Sequence, residues 1–468
     1  MNFEKNYQQC LEKLIWATER LNIAVPQPQL DKMTKLLVQT MTGPWRYFHS
    51  TEHIFAVGGS TDAIEVIAAL FHDIVYVQVD GSVNFNLTYY LAPYIEEDRG
   101  QLFVRAPEEL PDDPIFMMAA TVFNVAPGQV LSPLCGQNEF LSAVVALKVL
   151  EPFFPTALLV EIAACIEATI PFRPKTEAGL GPSRLLFQRL HATNEQFNLQ
   201  LPESEIVQTV KRAVRVANRD VIGFANPSSA VFLSNTWSLL PETNHSLQKS
   251  GSYTVRDYRI ALEKMTGFMN FLTPELIFRQ FQGEPDDETY HNLVGRARKN
   301  LETGRLYLES KLITIAILEA LSLRLGSDVS LSIMMGELPH AEFSVGSLGD
   351  SLPNLVNPHQ PKTPIERDVW NLLEEGRSEN VTYDLRTSPL TLFVVKYISF
   401  DGIRQMLQPV HSFFKGDISS EELLASCDPN LTLTIAKEIN KILTSRQAAL
   451  LRPWKQLATD FANNSTSE

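Results

Sequence analysis

The stretch that most limits what this chain can become is Ala63-Ile64-Glu65-Val66-Ile67-Ala68-Ala69-Leu70-Phe71-His72-Asp73-Ile74-Val75-Tyr76. Over residues 62–76 apolar side chains follow one another almost without break, which reads as a buried helix. His72 and Asp73 sit near its C-terminal end. An isolated buried carboxylate is very costly, so Asp73 must be paired, hydrogen-bonded or bound to a metal. Just upstream, Trp45-Arg46-Tyr47-Phe48-His49-Ser50-Thr51-Glu52-His53 brings two more histidines, four residues apart. On a helix that spacing puts both imidazoles on one face, one turn apart. A histidine on an apolar helix, taken alone, is a hydrogen-bonded core residue. A helix presenting His and a second presenting His-Asp together make an N/O metal site.

The order His, then His-Asp, then a distant Asp resembles the HD superfamily of metal-dependent phosphohydrolases. The likeness is to a bacterial branch with the patterns Arg-x-Tyr-His-x-x-x-His and Phe-His-Asp-x-x-Tyr. Here these read Arg46-Tyr47-Phe48-His49-Ser50-Thr51-Glu52-His53 and Phe71-His72-Asp73-Ile74-Val75-Tyr76, with Phe48 in place of the Tyr. Asp220, in Ala217-Asn218-Arg219-Asp220-Val221-Ile222-Gly223, stands where the superfamily has its last metal-binding Asp. Without the resemblance Asp220 reads as a surface or capping residue. Further likeness lies in Tyr258-Arg259, Phe271-Leu272 and Ala297-Arg298-Lys299-Asn300-Leu301, so the resemblance covers roughly residues 40 to 310. The branch's Ala-Thr-His is only partly present. Ala168-Thr169 is there but the His is not, which favours one metal or leaves Glu167 as a substitute ligand. Read by itself, Glu167 is an exposed helix-end carboxylate.

The resemblance implies an all-α, HD-type helical domain and one divalent ion on His53, His72, Asp73 and Asp220. Two imidazoles and two carboxylates suit Mn, Fe, Co, Ni or Zn better than Mg or Ca. His49 is the expected general acid toward a leaving oxygen. Arg46 is a candidate phosphate clamp, because a guanidinium matches a phosphate edge. Arg173 and Lys175 are weaker substrate-binding candidates of the same kind. The expected activity is hydrolysis of a nucleotide or another small phosphate ester. The alternative is a non-catalytic metal- or nucleotide-binding module with a degenerate site. An oxidative two-iron HD enzyme needs more ligands than the sequence offers.

Composition narrows the classes further. A chain of 468 residues can bury a large core, and 44% hydrophobic with 20% charged residues fits an ordinary soluble protein. The net charge of -14 argues against general nucleic-acid binding. Cys10, Cys135, Cys165 and Cys427 lie far apart without a CxxC pair, so no disulfide framework or zinc ribbon is expected. No stretch reads as a signal peptide or a spanning helix, and a cytoplasmic protein without membrane contact is expected.

Along the chain, the expected organisation is an HD-type domain over 1–325, a linker or long loop over 326–363, and a C-terminal helical region over 364–468. Residues 83–97 read as helical and 99–113 as loop. Residues 226–252 read as loop, anchored by Phe232 and Trp237, and could serve as a pocket lid. Pro409 reads as a break in the last helical stretch, and 463–468 as disordered. The single histidines His340, His359 and His411 carry no assigned chemistry.

Overall fold

A computed structural model describes residues 3–249, 251–326, 328–336, 347–381 and 383–453. His340 and residues 463–468 lie outside the described residues. The fold is predominantly all-α, 66% helical, as expected. Among the described residues the only strands are Ile95–Asp98 and Gln101–Val104, paired antiparallel in one hairpin. The hairpin lies where helix and then loop were expected. Its acidic strand, Ile95-Glu96-Glu97-Asp98, is exposed except at Ile95, so it carries no buried alternating face to betray it. Arg99 and Gly100 turn the chain with positive φ of 51° and 79°, the geometry that closes a two-residue hairpin.

The chain packs as two compact units that divide differently from the expected domains. The first comprises residues 1–225 and 273–297, the second 226–272 and 298–468. Residues 326, 328–336 and 347–363, expected as a linker or long loop, fall in the second unit.

In the first unit the apolar stretch forms the helix Ala63–Phe71, with all nine residues buried. Asp62 starts it, its carboxylate accepting from the amides of Ile64 at 3.0 Å and Glu65 at 3.3 Å. Packed around it are the helices Phe3–Arg20, Thr51–Gly58, Gln137–Leu150, Thr156–Ala168 and Glu203–Asp220. Gly58 permits the closest approach: a Cβ there would stand 3.3 Å from Val66 Cα. The helix Glu203–Asp220 is strongly amphipathic, burying Ile206, Val210, Ala213, Val214, Val216 and Ala217 on one side. The polar edge of that helix is anchored as well. Arg215 and Arg219 both pair with the buried Glu65 at 2.6 Å, and Arg212 pairs with Asp62 at 2.9 Å.

The second unit contains the helices Ser229–Thr243, Val255–Phe271, Pro364–Glu374, Pro389–Lys415, Ser420–Ser426 and Pro429–Ile442. It also holds the part of the helix Asp287–Leu323 that begins at Arg298. Residues 229–243, expected as loop, are helical because Phe232, Leu233, Trp237 and Leu240 form a buried stripe. The helix Pro389–Lys415 does not break at Pro409 as expected. It kinks at Ser399, which takes φ 66°, and the Ser399 hydroxyl accepts from the amide of Gly402 to start the second segment. Cys10, Cys165 and Cys427 are buried free thiols and Cys135 is an exposed one. Among the described residues no helix is long and apolar enough to cross a membrane.

Candidate metal centre

His53 comes from the first turn of the helix Thr51–Gly58. His72 and Asp73 follow directly on the buried helix Ala63–Phe71, and Asp220 ends the helix Glu203–Asp220. All four meet: one donor atom from each lies within 4.8 Å of the others. His53 Nε2 is 3.0 Å from Asp220 Oδ1 and 3.3 Å from Asp73 Oδ2. His72 Nε2 is 3.0 Å from Asp73 Oδ2 and 3.4 Å from Asp220 Oδ1.

The neighbours of these four explain why they meet. His72 Nδ1 donates to the Ala69 carbonyl at 2.8 Å, which fixes the ring and turns Nε2 toward the cluster. The two residues before Asp220 are spent on its placement. Asn218 exchanges two hydrogen bonds with the Arg279 backbone, at 2.9 and 2.8 Å. Arg219 reaches the Val57 carbonyl at 2.6 Å, beside Glu65. Asp220 is thus carried on a helix end bolted to the helices that supply His53 and His72.

The donor set fits a divalent ion. His72 Nε2 and Asp73 Oδ2 stand 3.0 Å apart as an ion pair, and neither buried atom makes an aligned hydrogen bond. Buried polar atoms without hydrogen bonds are rare in native interiors, and these convergent N and O donors could hold a cation. The His53, Asp73 and Asp220 side chains are 10, 12 and 16% exposed, so one side of the cluster opens toward solvent. A structural metal site is closed, whereas a catalytic one keeps an open position.

By themselves the imidazoles and carboxylates neutralise one another. Desolvation disfavours charge on His53, but Asp220 and Asp73 outweigh it and hold the ring up to about 9. His72 is raised in the same way, chiefly by Asp73. Burial works against ionising Asp220, yet the two imidazoles pull it down to about 2. Asp73 is likewise held well below the usual range by His72 and His49. Ion binding must therefore displace protons from the histidines.

The remaining expected residues are placed as follows. His49 is not on the helix with His53; it precedes the N-cap Ser50. Its ring nevertheless lies 5.8 Å from that of His53 and packs edge-on against Tyr76 at 4.3 Å. Arg46 is corrected from phosphate clamp to internal brace. It is buried, and its guanidinium holds Asp80 at 2.7 Å and the Asp73 carbonyl at 2.7 Å, so it positions a ligand-bearing backbone. Glu167 is not exposed, and it does not join the cluster of His53, His72, Asp73 and Asp220. It is fully buried and ion-paired to Arg173 at 2.5 Å and to Arg189. Arg173 is partly exposed, and its Nε is buried without a partner. Lys175 is exposed on the following loop, and no contact among the described residues ties it to the cluster.

Glu139, in the first turn of the helix Gln137–Leu150, escaped the sequence reading. Burial raises its carboxyl to about 8, and the charges of Asp73 and Asp220 push the same way. Its Oε2 is buried and unpartnered. A glutamate in a helix's first turn is so common that nothing in the sequence marks it.

No family model, no curated protein and no solved structure matches this chain.

Proposed function

We propose that the first unit is a metal-dependent phosphohydrolase of the HD type, acting on a nucleotide or another small phosphate ester. The observation that carries this reading is the convergence of His53, His72, Asp73 and Asp220, two of whose buried donor atoms make no aligned hydrogen bond. These four residues would hold a divalent ion, which would supply Lewis-acid polarisation of a phosphoryl oxygen and activation of a water. His49 stands beside His53 and gives a proton to the leaving oxygen. Tyr76 orients the His49 ring by its edge-on contact. Arg173, partly exposed with one N–H uncommitted, offers charge to a phosphate. Arg46 acts through Asp73, whose backbone it holds.

The test is elemental analysis of the purified protein, followed by a phosphate-ester screen with added Mn. Phosphate release that disappears in His72→Ala and Asp73→Ala supports the reading. A protein that takes up no metal overturns it. A second reading, a metal- or nucleotide-binding module without turnover, is favoured by the commitment of Arg46 and Glu167 to the fold. Ligand-induced stabilisation without hydrolysis across the panel would select it.

A further inference from the structure

The second unit buries an imbalance of charge beside a cavity. Lys311 is 5% exposed and Arg377 1%. Between them stands one carboxylate, Asp384, whose Oδ2 lies 3.4 Å from Lys311 Nζ and 3.2 Å from the Arg377 guanidinium. The same oxygen accepts from Trp237 Nε1 at 2.7 Å and from the Tyr258 hydroxyl at 2.9 Å. One carboxylate offsets one of the two cations, and a surplus charge withdrawn from water is costly unless a partner arrives. The rings of Trp237, Tyr258 and Tyr307 face the Lys311 ammonium at 5.4, 5.4 and 5.8 Å. They replace part of its hydration but carry no net charge. Burial alone would raise the Tyr307 phenol, yet Lys311 and Arg377 hold it below the ordinary tyrosine range, a second sign of surplus positive potential.

The cavity is small, about 70 Å³, and opens to solvent, so it suits only a small ligand. Lys311 lines it together with residues 387–391, where the helix Pro389–Lys415 begins. Ser388, at the N-cap, does not cap that helix with its side chain; its hydroxyl faces Lys311 Nζ at 3.3 Å. The first-turn amides, with their partial positive charge, therefore border the same space as the ammonium. The Lys311 contacts to Asp384 and Ser388 are both long, and among the described residues its ammonium has no third acceptor. Ile315, Leu318, Leu331 and Met335 supply apolar lining, alongside Asp384, Thr314 and Ser332.

We propose that this cavity binds a small organic anion. Its phosphate or carboxylate head is held between Lys311 and the first turn of the helix Pro389–Lys415, and its apolar body lies against Ile315, Leu318 and Leu331. This site is independent of the hydrolase reading.

The test uses the full chain in EDTA, with phenylphosphonate, benzoate and neutral benzyl alcohol as probes, read by calorimetric titration and by Tm. Phenylphosphonate has a carbon–phosphorus bond that no phosphoester hydrolase cleaves. The expected result is saturable binding and a raised Tm with phenylphosphonate or benzoate, the tighter one naming the head group, and none with benzyl alcohol. Lys311→Met is expected to weaken binding roughly tenfold or more, the loss of a charge-assisted contact. Met335→Trp adds bulk to the half-buried apolar wall, leaves every charge in place, and is expected to abolish binding. His72→Ala, which disables the metal centre, binds the probe like the parent. No binding of either anion, equal binding of benzyl alcohol, or parent-like binding in Met335→Trp overturns the proposal.

Discussion

In the first unit two carboxylates face two imidazoles; in the second, one carboxylate faces an ammonium and a guanidinium. Both clusters are withdrawn from water, so each must settle its charge locally. The first does so by moving protons: its histidines titrate, and a cation can take their place. The second has less latitude, because its guanidinium does not release its proton in a protein and, among the described residues, its one carboxylate already serves four donors. A titratable cluster is suited to an exchangeable cation, and a fixed surplus of positive charge to an anion.

The largest expected effect is on the first cluster. Asp73→Ala or His72→Ala should lower metal affinity by more than about 100-fold, since even residues one shell out are worth 10–100-fold. Metal content after dialysis checks it, and retention of stoichiometric metal would break the contrast. Next is Asp384→Asn in the second cluster. It leaves two buried cations without a counter-charge and should cost about 3–5 kcal/mol in denaturant unfolding. A near-neutral result would mean that water already compensates the surplus. Asn218→Ala sharpens the comparison more gently. Losing both bonds to the Arg279 backbone should cost about 1–3 kcal/mol and weaken metal binding without abolishing it, read by unfolding and by metal titration.

The smallest effect is a pH dependence that only the first cluster should show. His53, raised to about 9 from 6.5, adds stability that is complete below 6.5 and lost as pH rises through about 9. Asp220, lowered to about 2 from 3.8, adds stability present above 3.8 and lost as pH falls through about 2. The Tm of metal-free protein, referred to His53→Gln, should therefore gain most between about 4 and 6.5. Metal affinity should move oppositely on the basic side, rising between about 6.5 and 9 as the histidines give up their protons. A flat profile for both quantities would show that the pairs are not charged.

How much of this was readable in the sequence depended on whether a residue's partner lay nearby in the chain. The unbroken apolar run announced its own burial, and burial made His72 and Asp73 conspicuous. Asp220 was visible only through resemblance, because an aspartate at the end of an amphipathic helix looks like any polar terminus. Arg46 and Glu167 were misread for the converse reason. Their partners, Asp80 in one case and Arg173 with Arg189 in the other, are set by packing that periodicity does not encode. Lys311 lies within a long helix, and Asp384, 73 residues onward, gives no local sign that it meets that lysine. The helix at 229–243 was missed because Asn, Ser and Pro around it signal turns, while Phe232 and Trp237 pack inward regardless.

The bolting of Asp220 by its two predecessors has a consequence for any ion the cluster takes up. Nothing in the arrangement of Asn218, Arg219 and Glu65 requires the metal, and protonated histidines stand in for it between the carboxylates. Chelation should then strip the ion and leave the scaffold standing, unlike a zinc finger, which unravels. A polypeptide that matures ahead of any inorganic partner would leave the choice of element largely to supply, within the order of affinities that its N and O donors set.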